Sequence, residues 1–335
     1  MTIHQQPPPR ATMREVATAA GVSLKTVSRV VNGEPGVRET VRRKVEAVVE
    51  DLGYRHHRGA SDLRRGGQRT RAIGVLVQDI ANDYSARLLR SLEDATRERG
   101  FVLLTASLDE DADRERQLVA EMIARRVDGL VLMPASQRQD YLAADVRAGL
   151  PVVCVDRAPS GLAVDCVTID NTGGTRAGTE HLLRRGHRRI AFLGDLPTIP
   201  TARERLEGWR QALSAAGLEA DSALVRDGLR TVDAAREALL ELLRLPDPPT
   251  AVFAARNVLT VGCLHALREE LPGPQPEVVG FDDVELLDLL EPRTTVVRQD
   301  VEAVGRAAAE LLERRLAAHG GPVQHVVVPA ELVVR

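Results

Sequence analysis

Residues 12–32 read TMREVATAAGVSLKTVSRVVN, a pattern that predicts two short helices joined by a turn. Thr12 and Glu15 have the spacing of a capping box, in which each side chain accepts a hydrogen bond from the other residue's backbone amide. Gly21 is expected to end the first helix, because glycine adopts the left-handed backbone conformation that other residues avoid. The apolar face of this helix is expected to consist of Val16, Ala19 and Ala20.

The second predicted helix begins after Ser23, whose hydroxyl is a good N-cap. The face predicted to be buried consists of Val27, Val30 and Val31. The face predicted to be exposed consists of Leu24, Lys25, Ser28 and Arg29. A third helix is predicted over residues 38–51, with an apolar stripe of Val41, Val45, Val48, Val49 and Leu52. Two short helices joined by a glycine-containing turn are the helix-turn-helix signature, whose second helix enters the major groove of DNA.

Two runs in this region, EVATAAGVSLKTVSRVVNG (15–33) and VRRKVEAVVEDLGY (41–54), resemble the DNA-binding domain of the lactose-repressor/galactose-repressor family. The resemblance implies that Leu24 and Lys25 occupy positions where the family varies its base-reading side chains, and that Arg29 contacts bases. Lysine and arginine suit this role because they donate to the O6 and N7 atoms of guanine. The other residues expected at the DNA, to bind phosphate or to steady the helix, are Thr12, Ser23, Thr26, Ser28 and Asn32.

Residues 12–54 are thus predicted to be a helix-turn-helix domain, and residues 55–71 a hinge helix and linker. The run RHHRGASDLRR resembles the family's hinge helix, which folds on operator DNA in a dimer and inserts a leucine into the minor groove. The resemblance assigns this insertion to Leu63 and the hinge alanine to Ala60. The family's proline after the tyrosine is absent, and Gly59 lowers helix propensity by about 1 kcal/mol relative to alanine, so the hinge is expected to depend more strongly on DNA for folding.

Strand and helix patterns alternate over residues 72–335. Continuous apolar runs predict strands at 72–77, 101–105, 128–133, 151–156, 189–194, 250–255 and 277–282. Helical patterns between them include 84–99, 113–126, 173–185 and 203–216. Apolar strands separated by helices are typical of parallel sheets covered on both faces, so an α/β body of two doubly wound parallel-sheet lobes is predicted. Ligands of such folds bind at the carboxyl ends of the strands, here in a cleft between the lobes.

Three runs of the body resemble the family's effector domain, which is similar to periplasmic sugar-binding proteins: IDNTGGTRAGTEHLLRRGHRRIAFLGD (169–195), RERLEGWRQAL (203–213) and VVGFDDVELLDLLEPRTTVVRQD (278–300). The resemblance implies a small-molecule effector, a sugar or sugar derivative. It also implies that Arg205 holds this effector, because a guanidinium donates a planar fork of hydrogen bonds. The residues expected to bind the effector are Asp79, Tyr84, Asp156, Thr201, Arg205, Asn257, Asp282 and Gln299.

The predicted cleft also departs from the family's pattern. Asn257 stands where most relatives have an aspartate, and Arg256 stands where many have an asparagine. One interpretation is that this exchange makes the site favour an anionic or phosphorylated ligand. The alternative is that Arg256 points to solvent, and the sequence does not separate the two.

Charge is distributed unevenly along the chain. Residues 1–67 carry 12 basic and 7 acidic residues, a net charge of +5, whereas the remainder carries 33 basic and 41 acidic residues, a net charge of −8. A basic head on an acidic body is typical of a protein that contacts nucleic acid at one end. The three cysteines form no CxxC pair, so neither a disulfide frame nor a metal site is expected, and no cofactor is predicted.

Two other classes of protein fit the sequence less well than a regulator. An exported solute-binding protein would match the body, but the first residues lack the apolar stretch of a secretion signal, and a cytoplasmic protein is expected. No apolar run is long enough to span a membrane, and no membrane partner is predicted. An enzyme is disfavoured because no nucleophile, base and orienting group are recognisable as a set.

The sequence therefore predicts a transcriptional repressor that binds a pseudo-palindromic operator as a homodimer, since a twofold protein reads a twofold site. Effector binding is expected to move one lobe relative to the other and so to change the affinity for DNA. Induction is commoner in the family, but the sequence leaves induction and co-repression open. A final strand is expected at ELVVR (331–335), and no leucine heptads follow it, so a dimer is expected rather than a tetramer.

Overall fold

The computed structural model describes residues 11–54, 70–268, 274–284, 287–289, 293–318 and 320–335 of the 335-residue chain. The chain divides into two compact units, the head (residues 1–70) and the body (residues 71–335). Most of the predicted hinge, with Gly59, Ala60 and Leu63, lies outside the described residues.

The head consists of three helices, α1 (Met13–Ala20), α2 (Leu24–Val31) and α3 (Glu39–Asp51). The predicted capping box is confirmed: the Glu15 amide donates to the Thr12 hydroxyl and the Thr12 amide donates to the Glu15 carboxylate. Gly21 ends α1 with a φ of 63°, in the left-handed region that favours glycine. The Ser23 hydroxyl caps α2 by accepting from the Thr26 amide. The predicted helix-turn-helix is therefore present.

Two predicted core positions of the head are wrong. Ala19 is exposed and Ala17 is buried instead, because Ala17 shares with Val16 and Ala20 the face of α1 that joins the core. Leu52 is 41% exposed, because α3 ends at Asp51 and Leu52 is only its C-cap. The core of the head consists of Val16, Ala17, Ala20, Val27, Val30 and Val45.

The first lobe of the body contains strands β1 (Ala72–Val77), β2 (Val102–Ser107), β3 (Gly129–Leu132), β4 (Val152–Asp156), β5 (Asp165–Ile169) and β11 (His325–Val328). They form one sheet in the order β11-β5-β4-β3-β1-β2, in which every neighbouring pair is parallel. Apolar clusters lie on both faces of this sheet. Its helices are α4 (Asp83–Arg97), α5 (Ala112–Ala124), α6 (Ala143–Arg147) and α11 (Val301–Ala317).

The second lobe contains strands β6 (Ile190–Leu193), β7 (Val225–Arg226), β8 (Ala251–Ala254), β9 (Glu277–Phe281), β10 (Thr295–Gln299) and β12 (Ala330–Val333). Their order is β12-β10-β9-β8-β6-β7, and only β12 runs antiparallel to its neighbour. The helices of this lobe are α7 (Asn171–Arg184), α8 (Pro200–Ala215), α9 (Val232–Leu243) and α10 (Asn257–Leu267). The chain crosses between the lobes after β5, after β10 and after β11.

The predicted α/β body with two parallel-sheet lobes is confirmed, and each predicted strand is present with ends shifted by at most two residues. The final strand expected at ELVVR is present as β12, whereas β5, β7, β10 and β11 were not predicted. Of these, β7 has two residues, and β5 begins with the charged residue Asp165, so neither forms a long apolar run.

Candidate functional site

The outer face of α2 is exposed in the head, as predicted. Leu24 is 41% exposed and Lys25 is also exposed, at the first turn of the helix. Arg29 is half-buried, and its Nε lies 3.9 Å from the nearest Glu34 carboxylate oxygen. Since the base-contacting residues of a helix-turn-helix lie near the start of its second helix, this face has the composition and accessibility that a major groove requires.

Other predicted DNA residues of the head already have partners within it. The Asn32 side-chain amide donates to the Ser28 hydroxyl over 3.2 Å, and Thr12 belongs to the capping box of α1. The hydroxyls of Ser23 and Thr26 lie 2.9 Å apart. These contacts steady the two helices, so these residues can contact phosphate only through groups that the contacts leave free.

All eight residues predicted to bind the effector line one cleft between the lobes of the body. Asp156 and Gln299 end strands β4 and β10, and Asp79 and Asp282 lie in the segments that follow β1 and β9. The residues supplied by helices are Tyr84 in α4, Thr201 and Arg205 in α8, and Asn257 at the start of α10. The cleft therefore lies where the carboxyl ends of the strands meet, as parallel α/β folds require.

Arg205 is held on several sides although it lies in a cleft. Its Nε donates to the Asn171 amide oxygen over 2.8 Å, and its Nη1 donates to the Ala255 carbonyl over 2.7 Å. The guanidinium lies over the Phe281 ring, 3.8 Å from the ring centroid. A side chain at Gly208, one turn later in α8, would collide with the Thr172 carbonyl, so this glycine lets α8 approach α7 closely.

Two further arginines of the cleft form ion pairs that were not predicted. Arg157 donates from both Nη atoms to the Glu110 carboxylate, each over 2.6 Å, and both side chains are nearly buried. Arg256 Nη1 donates to an Asp195 carboxylate oxygen over 2.7 Å. Arg157 directly follows β4, and Asp195 and Glu110 lie two and three residues after the ends of β6 and β2. The rule that ligands bind at strand ends, applied to every strand, would have found these three residues.

Of the two interpretations of Arg256, the one in which its side chain points to solvent is wrong. Its side chain is 22% exposed and lines the cleft, so it does not point to solvent. Its charge is compensated by Asp195, so it provides no free positive charge for an anionic or phosphorylated ligand. The ion pair argues against the preference for an anion, which stays a prediction.

Several buried polar groups of the cleft lack a partner among the described residues. The Tyr84 hydroxyl and the Gln299 side-chain oxygen make no hydrogen bond, although the Gln299 side-chain nitrogen donates to Asp282. Burial raises the pKa of the Tyr84 phenol well above its usual value, and the nearby Asp156 and Asp282 raise it further. Tyr84 is thus a neutral hydroxyl that can both donate to a ligand and accept from it.

Two acidic residues of the cleft have a positive φ, 67° at Asp156 and 73° at Asp282. This left-handed conformation is uncommon for residues other than glycine, and such strain concentrates at functional sites. Burial raises the pKa of the Asp156 carboxyl, while Arg157 and Arg205 oppose this rise. Both carboxylates are mainly acceptors, so they suit a ligand that brings hydrogen-bond donors.

One pair of side chains joins the lobes directly across the cleft. The Asn82 side-chain amide in the first lobe and the Asn257 side-chain amide in the second donate to each other over 3.3 and 3.4 Å. An aspartate at position 257 would accept from Asn82 but could not donate back. The reciprocal contact therefore depends on asparagine at position 257, where most relatives have aspartate. The role of Asn82 in this contact was not predicted.

Among the residues that the structure describes, no group of three or more His, Cys, Asp or Glu side chains is arranged to hold a metal ion. The three cysteines are buried and unpaired. None of the described helices is long and apolar enough to cross a membrane.

Models of known protein families match parts of both units of the chain. The model for bacterial regulatory proteins of the lacI family matches residues 12–56, and the model for a periplasmic binding protein-like domain matches residues 179–335. Catabolite control protein A of Priestia megaterium is 31% identical over 306 residues, 90% of this chain and 92% of its own length. The ribose operon repressor of Escherichia coli K12 is 34% identical over 310 residues, 91% of this chain and 93% of its own.

Solved structures agree with these relatives. The lac repressor dimer bound to operator and an anti-inducer superposes with a TM-score of 0.82 at 26% identity, over 98% of both chains. The complex of the regulator CelR with cellobiose has a TM-score of 0.70 at 34% identity, over 97% of this chain and 99% of CelR. The chain therefore belongs to the lacI family of bacterial transcriptional regulators.

Proposed function

We propose that this regulator binds a pseudo-palindromic operator through α2 and that a neutral, polyhydroxylated effector bound between the lobes changes its affinity for DNA. The observation that carries the effector class is the pairing of charge in the cleft. Its lining contains five carboxylates and three guanidiniums, and both Arg157 and Arg256 are paired with a carboxylate. To bind Arg157 or Arg256, an anion would have to break one of these pairs, whereas hydroxyl groups can donate to the buried carboxylates.

The relatives support this class of ligand. One is named as a repressor of a ribose operon, and CelR is solved with cellobiose. Both sugars are neutral and rich in hydroxyl groups. We infer that a related sugar or sugar derivative is the effector of this chain, with Arg205 and Asp282 as its principal contacts.

We further propose that the chain acts as a homodimer, in the cytoplasm where operator DNA is found. The lac repressor that superposes on 98% of this chain was solved as a dimer on its operator. A twofold protein requires two half-sites about one helical turn apart, or a multiple of it. Sedimentation of the purified chain should give a dimer, and a tetramer would contradict the proposal.

Binding without catalysis is the function that the cleft supports. Its ionisable groups are engaged with one another, and the relatives that match the whole chain are regulators. Incubation with D-ribose or cellobiose should leave both sugars chemically unchanged, and turnover at ordinary enzymatic rates would overturn this view.

Selection of bound sequences from random DNA tests the regulator proposal most directly. The enriched motif should have twofold symmetry, and its affinity should then be measured with D-ribose, cellobiose, D-ribose 5-phosphate and gluconate. Neutral sugars are expected to change the affinity by about 5- to 150-fold, the usual range of allosteric coupling, and the anions to have no effect. Failure to enrich any motif contradicts DNA recognition, and a response to the anions alone contradicts the effector class. The direction of the change decides between induction and co-repression.

A further inference from the structure

Arg205 is connected to two residues that have no assigned role. Asn171 is 2% exposed and lies in the second lobe at the start of α7. Its amide oxygen accepts from Arg205 Nε over 2.8 Å, and its amide nitrogen donates to the Glu204 carboxylate over 2.9 Å. The same nitrogen donates to the Ile169 carbonyl over 3.3 Å. Asn171 therefore stands between a carboxylate and the guanidinium of the cleft.

These contacts allow only one orientation of the Asn171 amide. Two acceptors, the Glu204 carboxylate and the Ile169 carbonyl, lie on the side of the amide nitrogen, and a donor, Arg205 Nε, lies on the side of the oxygen. If the amide rotated by half a turn, its nitrogen would face the Arg205 N–H and its oxygen would face the carboxylate. Both contacts would be repulsive in a buried setting. By accepting from the Asn171 amide nitrogen, Glu204 therefore keeps the amide oxygen facing Arg205 Nε as an acceptor.

The position of Asn171 in the chain adds a second role. Ile169 ends β5 in the first lobe, and Asn171 begins α7 in the second, so the amide lies at one of the crossovers between lobes. Arg205 belongs to α8 of the second lobe. The Asn171 amide thus bonds at once to the end of a first-lobe strand and to the arginine that faces the cleft.

We propose that Asn171, oriented by Glu204, is a positioning residue that fixes the Arg205 guanidinium and links it to the crossover between the lobes. The proposal rests on the proposed function, in which Arg205 binds the effector. With Nε on Asn171 and Nη1 on Ala255, Arg205 keeps Nη2 for the ligand. Through its bond to the Ile169 carbonyl, the Asn171 amide joins the guanidinium to the crossover.

The test that needs no effector is hydrogen exchange at Arg205 Nε in the ¹⁵N-labelled full chain, with the signal identified by its loss in Arg205→Lys. Asn171→Leu removes the acceptor at similar volume and should accelerate exchange about fivefold or more, the factor that corresponds to one lost hydrogen bond. Glu204→Gln keeps an acceptor for the Asn171 amide and should preserve protection, whereas Glu204→Leu should reduce it. Thr172→Val is the matched control, because the Thr172 hydroxyl donates to the Glu204 backbone carbonyl across the same helices and not to Asn171 or Arg205.

A second measurement separates positioning from a general loss of structure. On the selected operator, Asn171→Leu should need at least about tenfold more sugar for a half-maximal response, with DNA affinity in the absence of sugar changed less than twofold. D-ribose and cellobiose are the sugars used, and Asn171→Asp, which retains an acceptor for Arg205, should restore part of the response.

The outcomes distinguish the two proposals. If Arg205→Ala leaves the sugar response unchanged, or if neither sugar alters DNA binding by the native chain, the proposed sugar site is wrong, and the exchange rates still decide whether Asn171 positions Arg205. If Arg205→Ala abolishes the response while Asn171→Leu changes neither the exchange rate nor the sugar requirement, the positioning role is overturned.

Discussion

The two candidate sites place their polar side chains in opposite environments. On α2 of the head, Lys25 is exposed, and Arg29 is half-buried with its Nε 3.9 Å from a Glu34 carboxylate oxygen. In the cleft of the body, Arg157 and Arg205 are each 7% exposed and bonded to several neighbours. The first arrangement leaves side chains free for a partner that brings its own complementary groups. The second builds the complementarity into the protein before the ligand arrives.

This difference predicts how substitutions act. Removal of an exposed side chain on α2 should weaken DNA binding and leave the free energy of unfolding nearly unchanged. Removal of one member of a buried polar network in the body should lower stability, because its former partners stay buried without compensation. Each experiment below tests one side of this contrast.

The largest effect on stability is expected at Asp165, a buried carboxylate that lies away from the cleft. Its oxygens accept from the Arg315 side chain over 2.7 and 2.8 Å and from the Arg314 side chain over 3.3 Å. They also accept from the Gln324 backbone amide over 2.8 Å. Asp165→Asn should lower the free energy of unfolding of the body by about 3 kcal/mol in denaturant titration. The control Asp113→Asn removes a 94% exposed partner of Arg116 and should change it by less than about 0.5 kcal/mol. If the two substitutions lowered the free energy of unfolding equally, the buried carboxylate would contribute no more to stability than the exposed one.

The same carboxylate gives a dependence on pH. Burial alone would raise the pKa of Asp165, but hydrogen bonds from Arg315 and Gln324 outweigh it and hold the pKa below the usual value. A lowered carboxyl pKa adds stability that is complete above the unfolded-state value of about 3.9 and is lost as pH falls toward the folded-state value. The stability difference between the native chain and Asp165→Asn should therefore be constant near neutral pH and shrink below about pH 4. A difference that grows on acidification would contradict the assignment.

The head should respond differently at Arg29. Arg29→Ala is expected to lower affinity for the selected operator by about 1–3 kcal/mol, roughly 5- to 150-fold, and to relax the preference at one base position. Arg43→Ala removes an equal charge from α3, where Arg43 pairs with Glu39 one turn earlier. Anisotropy titrations should show that it weakens operator and random DNA to the same small extent. If both variants lose affinity without a change in sequence preference, Arg29 does not read bases.

The contrast also explains how far the sequence could predict the sites. The capping box, Gly21 and the exposed face of α2 depend on residues close together in the chain, so spacing alone identifies them. Arg205, Asn257 and Asp282 were expected in the cleft from the resemblance to the family, and the other five residues from their place at strand ends or in loops that face the cleft. All eight line the cleft. The pairs of Arg157 with Glu110 and of Arg256 with Asp195 join residues 47 and 61 positions apart, so no local pattern reveals them.

Thr12 is a predicted DNA residue of the head whose side chain already accepts from the Glu15 amide in the capping box. Thr12→Ala removes the cap of α1 and should cost about 1 kcal/mol. In the full chain, the amides at the start of α1 should then exchange about fivefold faster. Thr18→Ala, which loses only a hydroxyl bonded to the Arg14 carbonyl within the same helix, should leave them unchanged within twofold. Equal exchange in the two variants would show that the capping box does not stabilise α1.

The smallest effect is expected at Tyr84, whose hydroxyl is buried in the cleft without a partner among the described residues. Elsewhere in the body, deletion of a buried polar group should destabilise the protein. Tyr84→Phe should instead leave the free energy of unfolding unchanged or raise it by up to about 1 kcal/mol, because an uncompensated polar group is removed. If the hydroxyl serves the ligand, the same substitution should weaken the response to sugar by about fivefold on the selected operator. Loss of stability together with an unchanged sugar response would show that the hydroxyl supports the fold rather than the effector.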